Sequence, residues 1–169
     1  MKSTILKFGG YGLLTGLVVF GLALTFGDEL SYTTQEIIGY GAMIVSLSFV
    51  FFGIKHYRDN VNNGQLRFGK GLVIGLLISC LVGLGIGFMD YLYTTVINPD
   101  FADEYLERTL KLYESQFSGE ELKAKSEELT QQMKDYGGSG FMAFLMFITV
   151  ALIGTVISII SSLILQRKH

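Results

Sequence analysis

Four long stretches of the chain lack charged side chains, and polar, charge-rich segments separate them. They cover residues 8–26, 37–54, 71–89 and 141–165 and contain 19, 18, 19 and 25 residues. An α-helix rises about 1.5 Å per residue, so about 20 apolar residues cross a hydrocarbon core about 30 Å thick. The pattern therefore predicts an all-α membrane protein whose residues 1–169 form a single domain with four transmembrane helices.

The composition agrees with this prediction. Half of the residues are hydrophobic, 17% are charged and the mean hydropathy is +0.45, which excludes an ordinary soluble domain. The first apolar stretch is longer than the about 7–15 residues of a signal peptide's apolar region, and no small-residue cleavage site follows it. We therefore expect an uncleaved first helix.

The charges alternate in sign between the stretches. One set of segments holds eight of the 13 basic residues beside a single acid, Asp59. Lys and Arg in short segments are retained in the cytoplasm, so we expect both termini and the 55–70 loop to be cytoplasmic. The basic residues concerned are Lys2, Lys7, Lys55, Arg58, Arg67, Lys70, Arg167 and Lys168.

The 55–70 loop contains Asn63-Gly64 between short apolar–polar runs, which indicates a small β-hairpin or a tight turn. We expect it to lie on the cytoplasmic membrane face, with Tyr57 and Phe68 at headgroup depth. The candidate contacts with lipid phosphates are Lys55, Arg58, Arg67 and Lys70.

Residues 98–140 form the longest polar segment and are expected to be extracytoplasmic. Asn98 as cap and Pro99 at the first position predict one helix, and a capping box that starts at Ser118 predicts a second. Both have apolar residues near helical spacing among charged ones. The segment is therefore predicted to be an amphipathic helical insertion that packs on the bundle, on the membrane or on a partner.

The third apolar stretch repeats a small residue every four positions. Such stripes allow helix backbones to approach closely in lipid, where van der Waals contact drives association. The expected partners are small residues of the first and fourth helices, and packing within one chain or between two copies fits the pattern. The helix-packing residues are Gly71, Gly75, Ser79, Gly83 and Gly87, with Gly12, Gly16, Gly154, Ser158 and Ser162 as partners.

Residues suited to catalysis are scarce in the apolar stretches. Asp90 stands about 30 Å along its helix from Lys70, at the outer interface, and is expected to be a hydrated carboxylate and a weak candidate polar site. His56 and His169 have no second ligand at metal spacing, and Cys80 has no partner for a disulfide. We therefore expect no enzyme activity, catalytic residue, metal or cofactor.

The sequence in and around the 55–70 loop resembles that of a known family. This run reads Gly53-Ile54-Lys55-His56-Tyr57-Arg58-Asp59, then Gly64, then Phe68-Gly69-Lys70-Gly71 with Gly75. It is similar to a small family of bacterial four-helix membrane proteins, found chiefly in Bacteroidetes and catalogued as a domain of unknown function. The resemblance implies a multi-pass protein of the bacterial inner (plasma) membrane and brings no site residues with it.

Two functions fit these features. The first hypothesis is a non-enzymatic accessory or assembly component that lies in the lipid bilayer and binds a membrane-protein partner or a second copy of itself. The alternative is a small oligomeric transporter or channel that uses the groove of the third helix, with Asp90 at its mouth. Neither interpretation involves nucleic acid.

Overall fold

The computed structural model describes residues 1–27, 30 and 32–167, without the side chains of residues 32 and 33. The described residues form α1 (Lys2–Phe26), α2 (Tyr32–His56), α3 (Phe68–Leu92), α4 (Phe101–Gln116), α5 (Gly119–Tyr136) and α6 (Ser139–Leu165). Two π-helical turns, Tyr57–Val61 and Tyr93–Ile97, directly follow α2 and α3. Helices α1, α2, α3 and α6 are long and apolar enough to cross a membrane, which confirms the predicted all-α membrane fold.

The helices extend beyond the uncharged stretches that predicted them. Helix α1 begins at Lys2, and α3 already begins at Phe68, before the basic residue Lys70. Charged residues are tolerated in the end turns of a spanning helix, because their long side chains reach the polar interface. Charge therefore delimits the apolar span and not the helix.

The chain divides into two compact units. The first comprises Met1–Met89 and Leu145–His169, and the second comprises Asp90–Phe144. The predicted insertion, residues 98–140, lies within the second unit.

Helix α3 is the centre of the first unit, since it contacts α1, α2 and α6. Close approaches pair Gly85 with Leu13, Ile78 with Gly53, and Gly75 with Ser158. Residue numbers at successive contacts rise together along α1 and α3, so these two helices are parallel. Between α3 and α6 the numbers rise in one helix and fall in the other, so α6 is antiparallel to both.

Two stripes on α3 account for its central position. One carries large apolar side chains at every fourth residue: Ile74, Ile78, Val82 and Ile86, all fully buried. The other, one residue further along, is the small-residue stripe predicted from the sequence. The large side chains fill the space between helices while the small residues let a neighbouring backbone come close.

The loop after α2 differs from one of its two predicted forms. The β-hairpin is wrong, because residues 57–61 continue α2 as a π-helical turn. A tight turn follows at Asn63 and Gly64, whose φ values are 50° and 78°. Leu66 then pairs with Arg167 in an isolated antiparallel bridge, so the loop's extended residue finds its partner at the far end of the chain.

In the second unit, α4 and α5 form a helical hairpin, and its start differs from the prediction. The N-cap of α4 is Asp100, two residues after the predicted Asn98. Asn98 instead ends the preceding π-helical turn, where its N–H donates to the Tyr93 carbonyl at 2.8 Å. Ser118 is the N-cap of α5 as predicted, but its side chain makes no capping hydrogen bond, so the predicted capping box is not formed.

Candidate functional site

The small-residue stripe of α3 packs against α6 in antiparallel register. Three levels of this contact pair a glycine with a serine: Gly71 with Ser162, Gly75 with Ser158, and Ser79 with Gly154. One step further along α3, a Cβ on Gly83 would lie 3.0 Å from Phe147 Cδ2 and 3.2 Å from its carbonyl oxygen. We call these eight residues the α3–α6 seam.

The serine hydroxyls of the seam mostly bond within their own helices. Ser79 Oγ donates to the Gly75 carbonyl at 2.9 Å, and Ser158 Oγ donates to the Gly154 carbonyl at 2.6 Å. Ser162 Oγ is buried and has no hydrogen-bond partner among the described residues. Hydroxyls that bond the preceding turn leave little free polarity, so the seam is a packing surface and not a polar pathway.

The glycines of α1 lie elsewhere. A Cβ on Gly12 would lie 2.6 Å from Val82 and 3.1 Å from the Ser46 carbonyl, and one on Gly16 would lie 2.9 Å from Ile86. Gly12 and Gly16 thus meet the large apolar stripe of α3 and a carbonyl of α2. Of the two sets of predicted partners, only the one on α6 meets the small-residue stripe in these contacts. Gly87, the last member of that stripe, is buried.

The basic residues of the 55–70 loop have different environments. Lys55, Arg67 and Lys70 are exposed, as contacts with lipid headgroups require. Arg58 is only 9% exposed and grips Asp59, with Nε 2.6 Å from Oδ1 and Nη2 3.0 Å from Oδ2. Its Nη1 lies 3.5 Å from the Leu165 carbonyl.

The last carbonyls of a helix have no donor within it, and Arg58 supplies one to α6. The interpretation of Arg58 as a free headgroup contact therefore does not fit this side chain. Tyr57 is buried as well, and not open to the headgroup region as expected. The reason is that residues 57–61 remain helical and turn both side chains into the protein.

A backbone bridge reinforces this connection. The Leu66 N–H donates to the Arg167 carbonyl at 3.1 Å, and the Arg167 N–H donates to the Leu66 carbonyl at 2.9 Å. We call Arg58, Leu66, Leu165 and Arg167 the C-terminal clasp. It joins the loop between α2 and α3 to the end of α6, more than 90 residues away in sequence.

Asp90 differs most from its predicted environment. Its side chain is 6% exposed, and Oδ2 has no hydrogen-bond partner among the described residues. Thr94, four residues later, is also buried and donates its hydroxyl to the Asp90 backbone carbonyl at 3.0 Å. The prediction that Asp90 is a hydrated carboxylate is therefore wrong, because the protein covers its side chain.

The signal that would have located Asp90 is its register. Ile74, Ile78, Val82 and Ile86 are buried at every fourth position, and Asp90 and Thr94 continue the same series. Distance along the helix indicated an interfacial depth, but only the face that a residue occupies shows whether protein covers it.

The α4–α5 hairpin is largely exposed. No residue of α4 is fully buried in the described chain, and Leu129 is the one buried residue of α5. Charged pairs four residues apart line α4, and the hydrogen bond from Lys111, with Nζ 2.6 Å from Glu107 Oε1, lowers the pKa of Glu107. Lys125 covers the Phe117 ring at 4.6 Å.

Comparison with known families covers almost the whole chain. The family described as "Protein of unknown function (DUF4199)" matches residues 7–167. The chain belongs to this family. Its membership confirms the resemblance drawn from the run between Gly53 and Gly75. No curated protein and no solved structure matches this DUF4199 chain.

The part of this DUF4199 protein that the structure describes contains no cluster of metal-binding side chains. No group of three or more His, Cys, Asp and Glu side chains is placed to hold a metal ion there. His56 packs its ring 5.1 Å from that of Phe8, and Cys80 is a half-buried free thiol. His169 lies outside the described residues. Among the described residues, the structure therefore contains a packed bundle, the C-terminal clasp, the buried carboxylate of Asp90 and an exposed amphipathic hairpin.

Proposed function

We propose that this DUF4199 protein is a non-enzymatic accessory component of the bacterial inner membrane. It binds another membrane protein through the α4–α5 hairpin. The observation that carries this proposal is the hairpin's small buried surface, since Leu129 is the one buried residue of its two helices. A pair of amphipathic helices with so little buried apolar area gains stability from a partner.

The exposed apolar residues of the hairpin stand among charges. Leu112 is 45% exposed and Tyr136 is 55% exposed. On α4, Leu112 continues the side of the helix that carries Phe101 and Tyr105, whose rings stack 6.3 Å apart. Aromatic and aliphatic side chains ringed by charges are typical of protein-binding surfaces.

The charge of the hairpin favours a protein over a membrane as its partner. Residues 98–140 contain ten acidic and five basic side chains. A surface with this excess of negative charge is repelled by anionic lipid headgroups and attracted by a basic protein surface. We therefore propose a partner with a basic patch facing the hairpin.

Photo-crosslinking in native membranes tests the proposed partner. A photoreactive amino acid at Leu112 should give a discrete crosslinked product with one protein that has a basic surface, identified by mass spectrometry. The same amino acid at Glu114, two residues on and on nearly the opposite side of α4, is the matched control and should give far less product. Equal products at both positions, no product, or crosslinks only to a second copy would contradict the accessory function.

Membrane orientation is part of the same proposal, with both termini and the 55–70 loop in the cytoplasm. Supporting it is the excess of basic residues in those segments. In a Cys80→Ser background, a cysteine at Ser118 should react with an impermeant thiol reagent on intact spheroplasts, whereas cysteines at Asn63 and Gln166 should react only after lysis. All three replaced residues are exposed, so access from the two sides decides the outcome. The opposite pattern would reverse the orientation.

Transport by an oligomer is the second candidate function, and the burial of Asp90 favours it. Ionisable groups inside membrane-spanning helices are rare and mark ion or proton pathways. Asp90 lies in the candidate span Phe68–Ile97. The transport that we propose is of a cation, with Asp90 as its binding site.

A further inference from the structure

The carboxylate of Asp90 is buried, and one of its oxygen atoms has no hydrogen-bond donor among the described residues. Asp90 is more than nine-tenths buried, and the oxygen that lacks a donor is Oδ2. A buried carboxylate that is charged and alone is strongly destabilising, so buried charges in proteins are paired or coordinate an ion. A membrane-spanning helix makes this cost larger still.

The turn that follows Asp90 supplies further oxygen atoms. Thr94 lies on the same face one helical turn later and is buried with Asp90. Its hydroxyl hydrogen goes to the Asp90 carbonyl, at 3.0 Å, which leaves the lone pairs of Thr94 Oγ1 available to accept. Carboxylate and hydroxyl oxygens therefore lie on one buried surface of the helix.

The backbone near Asp90 also departs from α-helical geometry. Tyr93–Ile97 is a π-helical turn, closed by the hydrogen bond from Asn98 N–H to the Tyr93 carbonyl. Such irregular turns occur often at functional sites.

The chemistry of these atoms selects a class of ligand. All of them are oxygen atoms, which favour hard cations over transition metals. A single carboxylate balances one positive charge, and the described residues place no cluster of three or more acidic, histidine or cysteine side chains that would suit a divalent ion.

From this geometry we infer that Asp90 binds a monovalent alkali cation, with Thr94 Oγ1 as a further ligand. This inference goes beyond the accessory function and does not depend on it. Its failure would remove the transport candidate and leave the crosslinking prediction for the hairpin unchanged.

Thermal unfolding in detergent tests the site with three salts at equal ionic strength: sodium, potassium and choline chloride. Wild-type protein should unfold at a higher temperature in sodium or potassium than in choline, with a shift that saturates as the ion is titrated. Asp90→Asn should abolish the shift and should unfold above wild type in choline, because the variant no longer buries an uncompensated charge. Equilibrium binding of radioactive sodium or rubidium, a potassium analogue, measures the stoichiometry directly.

Two threonine variants keep the test decisive if Asp90→Asn does not fold. Thr94→Val should lower cation affinity at least several-fold, whereas Thr95→Val, next in sequence but exposed, should leave it unchanged. The inference is overturned if folded wild-type protein unfolds identically in all three salts and binds no labelled ion. It is equally overturned if Asp90→Asn keeps the full response, or if Thr94→Val and Thr95→Val bind the ion as wild type does.

Discussion

Gly75→Ala should destabilise the bundle, and adding Ser158→Gly to the same chain should recover most of the loss. A Cβ at position 75 would collide with Ser158 Oγ, lie 2.6 Å from Ser158 Cβ and lie 3.1 Å from Ile54 Cδ1. Overpacking of this kind costs about 1–3 kcal/mol. Removing the Ser158 side chain vacates the space that the new methyl group needs, so the two substitutions should compensate.

A double-mutant cycle measured by thermal or denaturant unfolding in detergent would quantify this coupling. Gly10→Ala in α1 and Gly41→Ala in α2 are matched controls, since a Cβ there meets nothing within 4 Å. Alanine favours a helix interior over glycine by about 1 kcal/mol, so both controls should be neutral or stabilising. Losses at positions 75 and 158 that simply add would mean that the two residues do not touch within one chain. The homodimer interpretation of the stripe would then stand.

Periodicity predicted the α3–α6 seam well because its signal is local to each helix. A small residue at every fourth position of α3, and Gly154, Ser158 and Ser162 at the same spacing in α6, are visible without any structure. The sequence does not distinguish between the two possible partner helices, since Gly12 and Gly16 of α1 have the same spacing as the small residues of α6. Gly12 and Gly16 pack against the large stripe instead, and only three-dimensional packing decides which face each helix presents.

The C-terminal clasp could not be predicted, because its contacts join distant parts of the chain. Asn63-Gly64 signals a turn, and the turn forms with positive φ at both residues. The residues around it show alternation that suits a hairpin, yet Leu66 pairs with Arg167. Local patterns predict local turns, whereas the partner of a single extended residue depends on how the helices are arranged.

Asp90 shows a different limit. The rise per residue along α3 predicts how deep Asp90 lies in the membrane, but it contains no information about which side chains surround Asp90. The burial of Asp90 follows from its continuing the fourfold series that ends in Ile86. Reading that series past the first polar residue would have predicted a buried carboxylate.

Leu66→Ala should destabilise the protein by about 2–5 kcal/mol, the usual range for a buried leucine. Leu66 is fully buried although it lies in a loop rich in polar residues. A Cβ on Gly71 would lie 3.3 Å from Leu66 Cδ2, so this side chain packs over the first turns of α3 while its backbone holds Arg167. Its loss leaves a cavity and weakens the clasp at the same point.

Val61→Ala is the matched control, because Val61 is 48% exposed in the same loop and should lose less than about 0.5 kcal/mol. Leu66→Met, which nearly conserves volume, should cost less than about 1.5 kcal/mol. Unfolding in detergent compares the stabilities, and hydrogen exchange at the Arg167 amide reports the bridge separately. If Leu66→Ala matches Val61→Ala in stability and in exchange, Leu66 does not fill the core and the clasp does not hold α6. A stability loss with unchanged exchange would instead show that side-chain packing, and not the backbone bridge, joins the loop to the bundle.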